Sequence, residues 1–166
     1  MTRRAEEALA HVCRREFPRL VGLLALRVGD QRIAEELAQD ALVRLCQRWP
    51  DVDRPEAWLT RVALNLGNSW LRRRYAERRA YRRHGPGPRH QLPPASAEVL
   101  DVRAAVAGLP DRQRTALILR YYEQLSVAES AQVMGCPEGT VKSLTHRALE
   151  RLERNGNPTA ETTGHA

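Results

Sequence analysis

Apolar residues recur along this chain at intervals of three and four and nowhere alternate in twos, which is the pattern of amphipathic helices rather than strands. A first helix is predicted near residues 4–28, ending at Gly29, and a second begins after Asp30 and runs to about Trp49. Asp53-Arg-Pro-Glu56 reads as the start of a third, with capping-box spacing and proline in the first turn, and this helix continues into an arginine-rich run. Further helices fall near 97–107 and 111–123, and two more flank Gly135-Cys136-Pro137, the first opening on the capping box Ser126-x-x-Glu129. Between the two sets lies HGPGPRHQLPPAS, residues 84–96, whose four prolines and two glycines read as a semi-extended linker. The expected fold is all-α: two small helical bundles, residues 1–83 and 97–154, joined by a flexible Pro/Gly-rich linker and followed by a disordered tail, residues 155–166.

The faces of these helices carry the chemistry. At about 100° per residue, Trp58, Leu59, Val62, Leu66 and Trp70 gather on one arc of the third helix, the predicted core face. Arg61, Asn65, Asn68, Arg72, Tyr75 and Arg79 gather on the other. Such a stripe suits a single nucleic-acid strand, because cations meet phosphates, amides read base edges and rings stack on unpaired bases. Duplex binding alone accounts for the arginines but not for the rings. Trp70 sits at the edge of the apolar arc and reads equally as core or as a stacking platform.

On the second helix Ile33, Leu37, Ala41 and Leu45 supply the buried side, opposite Glu35, Glu36, Gln39, Asp40 and Gln47. An acidic face beside an arginine-rich one repels DNA and fits a basic protein surface, and Val43, in the middle of that polar face, is a candidate anchor for it. A charged helical face standing alone is more often simply solvated. In SVAESAQVMGCPEGTVKSLTHRALERL a short helix, a tight turn and a longer helix have the spacing of a helix-turn-helix, with Ala131, Gly135 and Val141 at its packing positions. Val141, Ala148, Leu149 and Leu152 form the inner stripe, with Thr145 at its margin, which leaves Glu138, Thr140, Lys142, Ser143, His146 and Arg147 free to enter a groove. The plainer alternative is a helical hairpin with a solvated outer face.

Composition narrows the partners. The net charge is +7, and residues 1–83 hold all of it, with 18 arginines against 11 acidic residues. Within 71–83 seven arginines face Glu77 alone, a balance of +6, whereas residues 97–166 carry 8 basic and 9 acidic groups. Charge concentrated in one short segment is the footprint of a polyanion partner. The longest apolar stretch, Val21–Leu26, is too short to cross a bilayer, the apolar side of residues 71–83 is thin for membrane insertion, and the N-terminus lacks a signal-peptide core, so a cytoplasmic protein with no membrane contact is expected. Cys13, Cys46 and Cys136 lie far apart in the sequence and read as reduced thiols, and His11 with Cys13 amounts to no more than half a metal site. No paired carboxylates or ligand cluster suggest catalysis, so no enzyme activity, metal, cofactor or small-molecule substrate is expected.

Three stretches, AEELAQDALVRLCQRW, PEAWLTRVALNLGNSWLRRR and LPDRQRTALILRYYEQLSVAESAQVMGCPEGTVKSLTHRAL, resemble in order the bacterial RNA polymerase sigma factors of the extracytoplasmic-function group. The resemblance implies two helical domains, regions two and four, and partnership with core RNA polymerase and promoter DNA. It implies that Glu36, Gln39 and Asp40, with Val43 beside them, dock on the clamp helices of the polymerase largest subunit. Arg61, Asn65, Arg72 and Arg73, with the loop 49–54, would engage the minus-ten element as it melts, and Ser69, Trp70 and Tyr75 lie along the same surface. Thr140, Lys142, Ser143, His146 and Arg147 would face the minus-thirty-five element. Small members of the group are commonly held inactive by an anti-sigma protein, a further candidate partner. Three positions depart from the usual pattern: Ser69 stands where many members carry aspartate, Leu144 where arginine is common, and Ser130 where an apolar residue or threonine is usual. The competing function is a free-standing helix-turn-helix transcriptional regulator, which needs no polymerase to bind its operator.

Overall fold

The computed structural model describes residues 3–81 and 97–156, and among these every regular element is helical. The chain divides between Pro94 and Ala95 into two compact units. The first holds α1 (Arg3–Val28), α2 (Gln31–Arg48), a 3-10 turn (Trp49–Asp51) and α3 (Pro55–Tyr81). The second holds α4 (Ala97–Ala107), α5 (Asp111–Leu117) with a π-helical continuation (Ile118–Tyr122), α6 (Val127–Met134) and α7 (Glu138–Gly156). Asn155 and Gly156, expected to begin a disordered tail, instead complete the last turn of α7; residues 157–166 and the linker 84–96 lie outside the described residues.

In the first unit Gly29, at φ 77°, bends the chain, and Asp30 Oδ1 accepts the Ile33 N–H at 3.1 Å, capping α2. The core is built from Leu20, Leu23 and Leu24 of α1, Ala34, Ala38, Ala41 and Leu45 of α2, and Leu59, Ala63 and Leu71 of α3. The buried arc of α3 is not the expected one. Trp58, Val62, Leu66 and Trp70 are only half-buried, while Leu59, Thr60, Ala63, Leu64, Gly67 and Leu71 face inward, a rotation of about one residue, or roughly 100°. The reason is close approach. A Cβ on Gly67 would stand 3.1 Å from Arg27 Cγ and 3.4 Å from Leu24 Cδ2, so α3 seats its smallest side chains against α1 and turns its indoles to the flank.

The α1–α3 seam is polar as well as apolar. Glu16, 3% exposed, accepts from Arg15 Nε at 2.9 Å and from Arg19 Nε at 2.6 Å. Arg19 donates to Thr60 Oγ1 at 3.1 Å, and Arg15 pairs with Glu56. Arg27, fully buried, donates through Nε and Nη2 to Asn68 Oδ1 at 3.1 and 2.5 Å. Arg15–Glu56, Arg19–Thr60 and Arg27–Asn68 are each 41 residues apart, so α1 and α3 run parallel in one fixed register. Because α3 starts at Pro55, with Arg54 as the residue before it, Glu56 stands one position too early for the expected capping box with Asp53. Its own backbone N–H and the Arg15 guanidinium hold its carboxyl below the usual range.

In the second unit Val106, Leu109, Ala116, Leu117, Ile118, Leu119, Ala131, Val141 and Ala148 form the core. Arg114, almost wholly buried, crosses the α4–α5 turn and donates to the carbonyls of Ala107 and Leu109. Ser126 and Glu129 close their predicted capping box: the Ser126 N–H donates to Glu129 Oε2 at 2.8 Å, and the Glu129 N–H to Ser126 Oγ at 3.1 Å. Gly135 ends α6 at φ 61°, in the left-handed region that lets α7 turn back. Ser130 is fully buried, and its hydroxyl finds no hydrogen-bond partner among the described residues.

Candidate nucleic-acid interface

The α3 surface begins with the exposed Arg61, Asn65, Arg72, Arg73 and Tyr75. These come to one side because the small-residue seam fixes which way the helix faces. Arg72 Nη2 donates to the half-buried Ser69 hydroxyl at 3.1 Å, which holds that guanidinium against the helix. Trp70, half-buried, carries the Arg74 guanidinium 5.5 Å from its ring centroid, and Trp70, Arg73, Arg74 and Glu77 line a shallow recess of about 180 Å³. The ring is thus neither core nor a bare platform; it is a flank already stacked on one cation. Asn68 leaves the predicted stripe, because both Arg27 bonds converge on its carbonyl oxygen.

On α2 the exposed face presents Glu35, Glu36, Gln39 and Val43, with Asp40 half-buried beside them. Its charges are balanced within the helix: Arg32 lies 3.5 Å from Glu36, and Arg44 lies 3.2 Å from Asp40, each at a spacing of four residues. Val43, 52% exposed, is the large apolar side chain on this face.

In the second unit α7 lays Val141 and Ala148 on the core and keeps Leu144, Thr145, Leu149 and Leu152 half-buried at its margin. Lys142, Ser143, His146 and Arg147 are exposed and Thr140 is half-buried, so the five share the outer face of the first two turns and a half. Ser143 donates to the Thr140 carbonyl at 3.1 Å, and His146 Nε2 lies 3.3 Å from Glu150. Lys142 and Arg147 thus extend from the N-terminal part of a helix that α5 and α6 hold in place. That is the arrangement with which a helix-turn-helix reads a major groove.

Residues 12–77 match the Sigma-70 region 2 family and residues 99–152 match the Sigma-70 region 4 family, so each unit carries one of the two matches. The RNA polymerase sigma-E factor of Streptomyces avermitilis is 36% identical over 139 residues, 75% of this chain and 72% of that protein. The chain belongs to the RNA polymerase sigma factors, of the extracytoplasmic-function type. The extracytoplasmic-function sigma factor SigW of Bacillus subtilis is 28% identical over 144 residues, covering 76% of this sigma factor and 77% of SigW. The sigma factor RpoE of Bartonella quintana, solved in complex with the anti-sigma factor NepR, shares the fold at a TM-score of 0.75 and 24% identity, over 96% of this chain and all of that one.

Some features of this sigma factor escaped the helical projections. The Glu16–Arg19–Thr60 network and the burial of Arg27 depend on register between helices, which a projection of one helix cannot supply. The 41-residue offset is visible only once two such pairs are known. Cys13 and Cys46, far apart in the sequence, are brought side by side across the α1–α2 seam. Among the described residues no group of three or more His, Cys, Asp or Glu side chains is placed to hold a metal ion, and no helix is long and apolar enough to cross a membrane.

Proposed function

We propose that this sigma factor binds core RNA polymerase through α2 of region 2 and directs it to promoters, where α3 grips the parted minus-ten strands and α7 reads the minus-thirty-five element. Glu36, Gln39, Asp40 and Val43 form the polymerase contact. Arg61, Asn65, Ser69, Trp70, Arg72, Arg73 and Tyr75 form the single-strand contact, and Thr140, Lys142, Ser143, His146 and Arg147 the duplex contact. The observation that carries the reading is that one chain joins a region 2 unit, bearing an arginine-and-ring face on α3, to a region 4 helix-turn-helix unit. A free-standing regulator needs the second unit only. The factor works in the cytoplasm, beside polymerase, with no catalysis of its own and no cofactor. An anti-sigma protein is a further partner, as for the Bartonella relative.

Transcription in vitro with core polymerase on genomic promoter fragments tests this. The full chain yields specific starts only when core enzyme is present. Val43→Asp weakens polymerase capture by roughly tenfold, as expected for a charge placed in a desolvated contact, with helical content unchanged. Lys142→Ala with Arg147→Ala leaves capture intact and impairs use of the upstream element. Tight, specific operator binding by the chain alone, with no effect of core enzyme, would establish the free-standing regulator instead.

A further inference from the structure

The α1–α2 hairpin brings together two cysteines that lie 33 residues apart in the sequence. Cys13 lies 16 residues before Gly29 and Cys46 lies 16 after Asp30, so along antiparallel helices both stand at one level, about 24 Å from the bend at 1.5 Å per residue. Ala34, Ala38 and Ala41, all fully buried, give α2 a small-residue face on which α1 closes. At that level the Cys13 and Cys46 side chains come within hydrogen-bonding reach of one another. Partial burial, and then the neighbouring Cys46 thiol, push the Cys13 thiol above its ordinary value of 9.0. Cys46 is exposed and Cys13 half-buried, both sulfurs are unbridged, and no third ligand joins them in a metal-holding group among the described residues. Two facing thiols, one open to solvent and one recessed behind it, form a pair suited to two-step oxidation.

We propose that Cys13 and Cys46 are a redox pair that closes a reversible disulfide between α1 and α2 when the protein meets a peroxide. The exposed Cys46 thiolate attacks one peroxide oxygen; the O–O bond breaks, a sulfenic acid forms on Cys46, and the released hydroxide takes up a proton to leave as water. Cys13 then attacks the Cys46 sulfur; the S–O bond breaks, the S–S bond forms, and the Cys13 proton leaves with the departing hydroxide as a second water. One peroxide is reduced and two thiols are oxidised. A dithiol reductant reverses the bond by exchange, as in other transient cytosolic disulfides. Cys46 lies three residues beyond Val43 on the same exposed side of α2. The cross-link therefore forms beside the surface assigned above to polymerase; this consequence rests on that assignment, and the disulfide does not.

The test uses the full chain, reduced, then exposed to a few equivalents of hydrogen peroxide, alkylated, and mapped by mass spectrometry of non-reduced tryptic peptides. The Cys13 and Cys46 peptides are expected as one linked species, two hydrogens lighter than their sum and separated again by dithiothreitol, while Cys136 stays alkylated. Cys13→Ser should leave Cys46 as a sulfenic acid that dimedone traps, and Cys46→Ser should leave Cys13 fully alkylated. Oxidation that leaves wild-type Cys13 alkylated, with Cys46 overoxidised or bridging two chains, overturns the proposal. Capture of core polymerase by the oxidised and reduced chain is read separately, since it bears on the docking surface whereas the peptide map bears on the disulfide alone.

Discussion

Asn68 and Ser130 show how one side chain's surroundings decide its work. Asn68 sits in a row of exposed DNA-facing candidates, yet its carbonyl oxygen is the acceptor for two bonds from a fully buried guanidinium. Hydrogen bonds to a buried charge are worth about 1.5–3 kcal/mol. Asn68→Ala is therefore expected to destabilise the first unit by about 2–3 kcal/mol in urea unfolding, while Asn68→Asp, which keeps the acceptor, holds stability near the wild type. A side chain that only read bases would leave the unfolding midpoint unmoved in both variants. Ser130 presents the reverse case, a buried hydroxyl with nothing to bond among the described residues. Ser130→Ala removes that desolvated group and improves helix propensity, and should stabilise the second unit by about 1 kcal/mol, measured by thermal or urea unfolding. The sequence shows only that a serine stands at position 130; the fold shows that its hydroxyl is stranded among the described residues.

At the scale of the helices, the parts legible in the sequence were the local ones. Asp30 at the start of α2, the Ser126–Glu129 box and the left-handed Gly135 each involve groups within a few residues of one another, so spacing alone announces them. The seat of α3 was not legible. Its two tryptophans dominate any hydrophobic projection, but Ala63 and Gly67 win the interior because they let α3 approach α1, a property of the pair of helices. The outward faces of α2 and α7 survived this kind of error because long polar side chains have no competing place to go. Glu56 marks the same limit: a local box was expected, and a partner 41 residues away took the carboxylate. Its folded pKa is depressed below the ordinary 4.5, so its contribution is present above the unfolded value and is lost as pH falls through the folded one. Glu56→Gln should lower stability at pH 7 by about 0.2–1 kcal/mol, the range for an exposed pair, and the gap from wild type should close on acidification below 4.5. Urea midpoints measured from pH 7 to pH 3 check this; a gap that widened in acid would give the shift the opposite sign.

The whole molecule divides its charge as unevenly as its tasks. Residues 71–83 carry +6, whereas residues 97–166 sum to −1, so a unit proposed to read duplex DNA brings almost no general attraction for phosphate. Such a unit binds a short site usefully only if something else delivers it, and the chain supplies the means: a region 2 unit, proposed above to dock on polymerase, and a Pro/Gly-rich segment, residues 84–96, leading to region 4. A short connection makes the second contact intramolecular, at an effective concentration on the order of millimolar. Cutting that connection therefore separates affinity from connectivity without altering a single contact residue. With a protease site placed within 84–96 and cleaved to completion, the N-terminal piece should still be captured by core polymerase. Footprinting of the minus-thirty-five element should disappear at sub-micromolar protein and return only as the C-terminal piece approaches the millimolar range. If protection instead persists after cleavage at low concentration, region 4 holds its site by its own affinity or by a direct grip on polymerase, and the near-neutral charge of that unit must be offset by contacts other than the tether.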